Sequence, residues 1–445
     1  MVIIKNIQIL PLNNMNKRKK INIAIVGLGN IGSYFYKYIV KNKKNLINKT
    51  KFDINKIYIS ARNINKKRSF KINKSIFLKN YLDVAKKKDI NVIIELIGGS
   101  EGAAKKLVFS ALRNKKHVIT ANKALIAKYG DQLSIIAEKN NVNLEFEAAV
   151  CAGVPIIRTL KEGLISNKNN KIYGIFNGTS NYILSTMDQK SLNFKEALYN
   201  AQTLGYAEAK PLSDLNGDDV ASKLKILSSL SFNTYINNKI SIEGIKNVDK
   251  DDIYNANLLG YKIKLLGVAE YEKNKIIQRV HPALIKKGSY VSNIDGVLNA
   301  VIIESNQLGQ TVLQGEGAGP GATTSALVSD LCSVLRGNIK YPFVLPSKKR
   351  SRGNFKDISE KKFSAYFRLD VKDKHGVLSN ITNILSKNGV SVKRLIQKPM
   401  KTKKNSSIVI ITHNSNNRSL IKSINILQKK KYLINKPKFI RIEDI

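Results

Sequence analysis

The most informative stretch of the sequence is Gly205-Tyr206-Ala207-Glu208-Ala209-Lys210-Pro211-Leu212-Ser213-Asp214-Leu215-Asn216-Gly217-Asp218-Asp219-Val220-Ala221-Ser222-Lys223. It begins as an acidic loop broken by Gly and Pro, and from about Gly217 apolar residues recur at helical spacing. Asp219 and Lys223 are four positions apart, so they share one face of that predicted helix. Such a pair is usually a surface ion pair. With Glu208 and Asp214 in the preceding loop, we instead predict a cluster of carboxylates that holds an ammonium group beside a proton-transferring lysine.

The composition indicates a soluble protein of two to four domains. The chain has 445 residues, of which 43% are hydrophobic, and it contains no apolar run long enough to span a membrane. Two cysteines cannot form a disulfide framework, which favours a reducing, cytoplasmic location. The four histidines are scattered and none has the spacing of a zinc site.

A formal net charge of +44 is typical of proteins that bind nucleic acid, but we predict no nucleic-acid partner for this chain. Lys, Asn and Ile are spread through every segment, as AT-biased codons would produce, and no aromatic-basic RNA-binding signature accompanies them. A basic nucleic-acid-binding protein on an inactive dinucleotide-binding scaffold is the alternative from another class. Measurements of enzymatic turnover and of DNA binding at physiological salt distinguish the enzyme from the nucleic-acid-binding alternative.

Residues 1–20 are expected to form an N-terminal extension. Their positive run comes late and no apolar core follows it, unlike a signal peptide. Met15 is an alternative start, because the first predicted strand begins only at Ile21. An organelle-targeting role is weakly supported, since Ser and Arg are scarce here.

A dinucleotide-binding motif follows the first predicted strand. Residues 21–26 are an apolar run typical of a buried parallel strand, and 33–40 read as a helix. Between them, Gly27-Leu28-Gly29-Asn30-Ile31-Gly32 is a GxGxxG motif in the strand–turn–helix setting that it requires. Gly27 permits the turn, Gly29 admits pyrophosphate and Gly32 allows close packing of helix and strand. We predict a Rossmann-type parallel sheet.

The second predicted strand, near 57–60, ends without the acid that an NAD-specific site would place on the ribose 2′-hydroxyl. Arg62, Lys66, Lys67 and Arg68 follow it instead. Cations here favour NADP, although lysines are abundant throughout this chain and NAD stays open.

Two further strands are expected to end at the cofactor edge of the sheet. Residues 89–95 lead into Gly98-Gly99, where a nicotinamide would lie, and 116–120 lead to Lys123 after a helix at 103–114. Glu147, followed by the small-residue turn of Val150, Ala152 and Val154, could surround a hard cation with oxygen atoms. A tight structural turn is the alternative explanation.

Six motifs together resemble homoserine dehydrogenase. GLGNIG, ELIGG, TANKAL, EAAVCAGVP, FNGTSNYIL and the opening stretch have the order and spacing of that family over about residues 21–340. Lys210 and Cys151 depart from the usual pattern, and neither is a predicted catalytic group. The resemblance implies an NAD(P)-dependent enzyme that interconverts L-aspartate 4-semialdehyde and L-homoserine in threonine, methionine and isoleucine biosynthesis. Another amino-acid oxidoreductase on the same fold is the nearest alternative.

The resemblance also implies roles for individual residues. Lys223 would transfer the proton, with Asp219 and Lys123 as the other catalytic groups. The implied substrate ligands are Glu208, Asp214, Asp219 and Lys123. The implied cofactor site, for NADP and possibly NAD, comprises Gly27, Gly29, Asn30, Ile31, Gly32, Arg62, Gly98, Lys123, Gly205 and Gly317. A monovalent cation, sodium in most of this family, would bind Glu147, Val150, Ala152 and Val154.

The C-terminal region is predicted to be a separate α+β unit. After a Pro- and Ser-containing linker at 341–361, strands and helices follow in the order βαββαβ over 362–445, which resembles an amino-acid-sensing ACT domain. Its loop at 373–378 could bind threonine, and a structural appendage without sensing is the alternative. We expect an NADP-binding domain at 21–148 plus about 306–340, an α+β substrate and dimerisation domain at 149–305, and a homodimer or homotetramer.

Overall fold

The computed structural model describes residues 19–66, 68–337, 340–400 and 404–445. Most of the predicted N-terminal extension, and Lys67 of the predicted cation group, lie outside the described residues. In the part of the chain that is described, no helix combines the length and the apolarity needed to cross a membrane.

The predicted Rossmann-type sheet is confirmed. Five parallel strands lie in the order β2-β1-β3-β4-β5. Ile23, Ile25 and Ile94 are fully buried, as expected for strands covered by helices on both faces. One short polar helix, α2, was not predicted from the sequence, because only Leu46 and Thr50 of its eight residues are buried. The elements are β1 (Lys19–Val26), α1 (Asn30–Lys41), α2 (Lys43–Thr50), β2 (Phe52–Ser60), α3 (Tyr81–Lys86), β3 (Val92–Glu95), α4 (Ala103–Arg113), β4 (His117–Thr120), α5 (Lys123–Lys139) and β5 (Leu144–Glu145).

The central region packs helices on a second sheet, in which strands β11-β10-β6-β8-β9 are neighbours. Lys273 and Asn274 both have positive φ, and this two-residue turn fits the twist of the β8–β9 hairpin. The elements are α6 (Ile156–Arg158), β6 (Asn169–Ile175), α7 (Gly178–Lys190), α8 (Phe194–Thr203), α9 (Leu212–Asn216), α10 (Asp218–Phe232), β7 (Ser241–Ile242), α11 (Lys250–Leu258), β8 (Tyr261–Glu272), β9 (Lys275–Lys286), β10 (Leu298–Ser305) and β11 (Gly309–Glu316).

The chain returns to the first sheet through α12 (Pro320–Leu335), which packs against α1. β11 pairs with β10 along its whole length and so belongs to the second sheet. The return segment therefore begins at Pro320, later than the expected position near residue 306.

The C-terminal βαββαβ unit is confirmed, and its sheet continues the central one. Strand β17 pairs in parallel with β9, so a single twelve-stranded sheet crosses from the central region into this unit. Nothing in the sequence indicated this pairing. The elements are β12 (Phe355–Lys356), β13 (Lys362–Lys372), α13 (Val377–Lys387), β14 (Val392–Pro399), β15 (Asn405–Thr412), β16 (Ser415–Asn416), α14 (Asn417–Leu427) and β17 (Lys438–Glu443).

The segment predicted as a linker is firmly packed. Arg350 is buried, and its guanidinium donates hydrogen bonds to Asp131, Ser229 and the carbonyl of Thr234. Phe343 is also buried and contacts Phe146. The composition was typical of a linker, but one arginine with a carboxylate partner anchors the segment to α5 and α10.

Candidate active site

The stretch that opened the sequence analysis forms two helices with a sharp bend between them. Gly217, at φ 89°, ends α9 and begins α10, which confirms the helix predicted from about this residue. Val220, Leu224 and Leu227 are fully buried. Their packing fixes the rotation of α10, so that Asp219 and Lys223 face the junction with the first sheet.

The Asp219 carboxylate joins two lysines from different parts of the fold. One oxygen lies 2.6 Å from the Lys123 ammonium at the start of α5, and the other lies 2.8 Å from the Lys223 ammonium. Burial alone would raise the pKa of Asp219, but the two cations hold it below its ordinary value. The carboxylate is therefore ionised and fixes both lysines.

Lys223 is buried and charged. Its ammonium also donates to the carbonyl of Phe176 at 2.5 Å. Burial opposes the charge, yet Asp219 raises the pKa of Lys223 above its ordinary value. Contacts with the described residues use two of its three N–H donors, which leaves the third for a substrate oxygen.

Asn177 links a second carboxylate to this cluster. Its side-chain amide donates to Asp214 at 2.8 Å and to Asp219 at 2.9 Å, while its oxygen accepts the Ser180 N–H and caps α7. Burial raises the pKa of Asp214. The sequence analysis did not assign Asn177 a role in this cluster, although Asn177 is the second residue of the FNGTSNYIL motif.

The glycine motif has the geometry that an approaching phosphate needs. A Cβ on Gly27 would lie 2.4 Å from the Leu96 carbonyl, and one on Gly32 would lie 2.0 Å from the Gly27 carbonyl. Gly29 has open space around its Cα. Asn30 and Ile31 are the first residues of α1, so free backbone N–H groups and the positive end of the helix face this space.

A buried carboxylate, Glu95, organises the cofactor edge. Its oxygens accept the N–H groups of Ile97 and Gly98 at 2.7 and 3.1 Å and the Thr120 hydroxyl at 2.6 Å. Asn122 continues the network by donating to the Gly99 carbonyl at 2.7 Å. The Gly98 turn and the turn that carries Lys123 are thus held as one unit. The sequence analysis gave Glu95 no role, although it is an acid inside an apolar strand and the first residue of the ELIGG motif.

Known proteins resemble this chain in sequence and structure. Residues 155–332 match the family described as homoserine dehydrogenase, 27–147 match its NAD-binding domain and 365–430 match the ACT domain. A homoserine dehydrogenase of Neisseria gonorrhoeae is 38% identical over 89% of this chain and 92% of its own length. One from Helicobacter pylori is 36% identical over 96% and 100%. The crystal structure of a homoserine dehydrogenase from Thiobacillus denitrificans superposes with a TM-score of 0.88, at 34% identity, over 96% of this chain and 99% of that one.

The chain belongs to the homoserine dehydrogenase family. Membership makes it an oxidoreductase with an NAD-binding domain, and it confirms the activity and the C-terminal ACT domain predicted from the motifs.

Two residues that the homoserine dehydrogenase resemblance implicated lie on an exposed loop. Glu208 is exposed, and among the described residues no ion pair includes its carboxylate. Gly205, at φ 75°, is exposed as well. The structure therefore brings Asp214, Asp219, Lys123 and Lys223 together and leaves Glu208 outside their hydrogen-bonded network.

The remaining residues that were predicted to bind the cofactor, Arg62 and Gly317, lie on separate segments of the chain. Arg62 is exposed just after β2, whereas Arg68 is occupied by the carbonyls of Asn63, Ile64 and Lys66 and shapes the loop. A Cβ on Gly317 would lie 2.2 Å from the Asn299 side chain, so a larger residue here would require that buried side chain to shift.

The predicted cation residues are buried close to Gly317. Both Glu147 oxygens accept backbone N–H groups, from Ile157 and Arg158 at 2.8 Å each, and burial raises the pKa of this carboxyl. Ala152 donates to the Gly317 carbonyl at 3.2 Å. A carboxylate has about four lone-pair positions, so Glu147 retains room for a cation. Among the described residues, no group of three or more His, Cys, Asp or Glu side chains could hold a metal.

Proposed function

We propose that this protein interconverts L-aspartate 4-semialdehyde and L-homoserine at the cluster around Asp219. The supporting observation is the single buried carboxylate that binds one lysine from the nucleotide-binding domain and one from the central domain. The nicotinamide cofactor supplies or accepts the hydride when bound. The residues of the chain must bind the substrate, orient its reacting carbonyl and move one proton.

In this proposal Lys223 transfers the proton. As the aldehyde carbon gains a hydride, its oxygen takes a proton from the Lys223 ammonium and becomes the alcohol of homoserine. In the reverse direction the same lysine accepts the proton. The raised pKa of Lys223 keeps the ammonium charged at neutral pH, which suits donation in the reductive direction.

Substrate orientation is assigned to the other members of the cluster. Lys123 has 42% of its side chain exposed, so it can reach the reacting oxygen while Asp219 holds it. Asp214 and Asp219 are the proposed partners of the substrate ammonium. Glu208 remains a proposed third partner, and reaching it from the cluster would require the loop at 205–210 to close over the substrate.

The proposed cofactor is NADP in preference to NAD. Among the described residues, no hydrogen bond or ion pair involves the guanidinium of Arg62 after β2, and no acid follows this strand directly in the sequence, which suits a 2′-phosphate. Pyrophosphate would approach Gly29 and the N–H groups of Asn30 and Ile31, and the ring would lie near Gly98 and Lys123. Gly205 and Gly317 are proposed to line the cofactor across the cleft, with Gly27 and Gly32 shaping its turn.

A monovalent cation, sodium by resemblance, is proposed at Glu147 and the carbonyls of Val150, Ala152 and Val154. All four residues are buried, and the spare acceptor positions of Glu147 support this assignment. Sodium should raise the thermal midpoint, while choline at equal ionic strength should leave it unchanged. Equal effects of the two salts would contradict the assignment.

Feedback regulation by an amino acid is proposed for the ACT domain, in a homodimer or homotetramer. The segment at 373–378 contains Gly376, at φ 81°, which directly precedes α13, and the first N–H groups of α13 can meet a carboxylate. Threonine is the proposed effector because the pathway implied by the resemblance ends there.

The direct test is to incubate the protein with homoserine and NADP, with NAD in parallel, and to follow formation of the reduced cofactor. We expect turnover with both cofactors and a higher kcat/KM with NADP. Absence of turnover together with tight DNA binding at physiological salt would contradict the proposal.

A further inference from the structure

We infer that a pocket between α1, α2 and α12 is a binding site for a small anion that carries a phosphate group. The pocket measures about 490 Å³. Among the described residues, its lining includes none from the cluster around Asp219 and none from the glycine motif before α1. The site is therefore distinct from the proposed substrate and pyrophosphate sites, and it does not depend on the proposed reaction.

Three basic side chains line the pocket, and no acid is among the described residues that line it. The side chains of Lys49 on α2 and Arg336 at the end of α12 form no ion pair or hydrogen bond with any described residue. The third guanidinium or ammonium group, that of Arg158, lies 3.6 Å from Asp330, its one ion-pair partner in the described part of the chain. The pocket thus holds positive charge that an anion can neutralise.

The three cations act on one point of the pocket wall. Burial raises the pKa of the Cys332 thiol, which lines the pocket, while the same three cations act in the opposite direction. Their charges therefore converge, and together they suit a phosphate group, which carries up to two negative charges at neutral pH. Two of the three are arginines, although lysine carries most of the positive charge of this chain. A guanidinium can donate to two phosphate oxygens at once.

A buried hydroxyl in the pocket wall lacks a hydrogen-bond partner. Thr324 on α12 lines the pocket and is 2% exposed, and its Oγ1 has no partner among the described residues. Such an unpaired buried group costs free energy. Thr in a helix has two favoured χ1 rotamers, so a small rotation can turn the hydroxyl toward a bound oxygen. A phosphate oxygen would accept this hydrogen bond and remove the cost.

Two tyrosines form a wall for the remainder of an organic phosphate. Tyr34 and Tyr38 are one turn apart on α1, so they lie on the same face of the helix, and both line the pocket. Their side chains are exposed, although each has a large apolar ring. Aromatic rings of this kind stack on flat ring systems such as nucleobases.

The test is equilibrium dialysis of radiolabelled inorganic phosphate against the full chain saturated with NADP, which occupies the cofactor site. Because a basic chain attracts anions everywhere, two double variants with the same loss of charge are compared. The pocket variant carries Lys49→Gln and Arg336→Gln. The control variant carries Lys44→Gln and Arg352→Gln, at exposed positions that do not line the pocket. Thr324→Val removes the hydroxyl without a change in charge.

Unlabelled AMP and adenosine serve as competitors and identify the source of the phosphate group. Displacement by AMP at lower concentration than by unlabelled phosphate would assign an organic phosphate with its ring on the tyrosines. Equal displacement by AMP and phosphate would assign inorganic phosphate. Adenosine lacks the phosphate group, so we expect it to displace nothing, and displacement by adenosine equal to that by AMP would contradict a phosphate site.

We expect saturable binding of one phosphate per chain, with affinity reduced about tenfold or more in the pocket variant and unchanged in the control variant. Thr324→Val should weaken binding, while its thermal midpoint without phosphate should be no lower than that of the parent, because the deleted hydroxyl had no partner. Parental affinity in Thr324→Val would contradict the role of the hydroxyl. Absence of saturable binding in the parent, or equal losses in the two double variants, would overturn the site.

Discussion

Buried charge serves different ends in two regions of the molecule. At the junction of the central and ACT domains, Arg279 pairs with Glu270 at 2.7 Å and with Glu443 at 2.5 Å, and His281 also contacts Glu443. We call these four residues the junction cluster. Arg279 is fully buried there, with the Phe363 ring 5.4 Å away.

The cluster around Asp219 has the same ingredients but is open on one side. Lys123 is partly exposed and one N–H of Lys223 is available, whereas in the junction cluster the fully buried guanidinium of Arg279 lies between two carboxylates, one of which also pairs with Lys361. An ion cluster with an available N–H donor can act on a substrate, whereas we expect one whose guanidinium is fully buried between its carboxylates to hold the domains together. The following predictions test this difference.

The largest effect is expected from Asp219→Asn, which should reduce both turnover and stability. Lys223 would remain buried without its charged partner, and breaking a buried pair typically costs about 3–5 kcal/mol. Turnover should also fall by more than about 10²-fold, because neither lysine keeps its position. Denaturant unfolding and steady-state kinetics measure the two losses. Asp218→Asn, at the exposed neighbouring position, is the control, and an unchanged unfolding free energy in Asp219→Asn would refute the account.

In the junction cluster, Arg279→Leu should affect stability alone. We expect the free energy of unfolding to fall by about 3–5 kcal/mol, since Glu443 would stay buried without its arginine partner, while Glu270 would keep its ion pair with Lys361. Turnover per folded molecule should stay within a few-fold of the parent. The exposed pair between Lys275 and Glu360 provides the control, because Lys275→Ala should cost no more than about 1 kcal/mol. A large loss of kcat in Arg279→Leu would mean that the junction contributes to catalysis.

A smaller and more selective effect is expected at the cofactor edge. Arg62→Ala should raise KM for NADP by about 10- to 100-fold, the range for one charge-assisted hydrogen bond, and leave KM for NAD unchanged. Lys56→Ala on the exposed side of β2 controls for general loss of positive charge. Equal changes for both cofactors would remove Arg62 from the 2′-phosphate site.

The mildest effect is expected from acidification. Burial would raise the pKa of Glu270, but Arg279 lowers it from 4.5 to about 2 in the folded state. Because the pKa of Glu270 is lower in the folded than in the unfolded state, its ionisation stabilises the fold at pH values above about 4.5. This stabilisation is lost as the pH falls from about 4.5 to about 2. Unfolding measured from neutral pH down to pH of about 3 should show a shallower decline for Glu270→Gln than for the parent. Identical slopes would exclude Glu270 as a source of the acid sensitivity.

Local pattern was enough to predict most elements and part of the site. The spacing of Asp219 and Lys223 and the glycines before α1 define their geometry within one or two turns of chain. Lys123 was placed correctly at a strand end, because parallel strands bring their carboxyl ends to one edge.

Contacts between residues far apart along the chain could not be predicted from the sequence. The pairing of β17 with β9, the anchoring of Arg350 and the linkage of Asp214 to Asp219 through Asn177 all join residues distant along the chain. Composition described 341–361 as a linker because an arginine with a buried partner looks the same, in sequence, as one in water. The error at Glu208 is of the opposite kind. Its position in the motif suggested a place in the cluster, but the structure shows an exposed side chain.

The most direct test of the central claim is the turnover of Lys223→Ala, with the dissociation constant for NADP measured on the same preparation. We predict that kcat falls by about 10²–10⁴-fold, as for loss of a general acid, while NADP binds as tightly as in the parent. Lys225→Ala, two residues further along α10 and bonded to Asn238, should retain parental turnover. A kcat of Lys223→Ala within a few-fold of the parent would contradict the assignment of Lys223 as the proton donor.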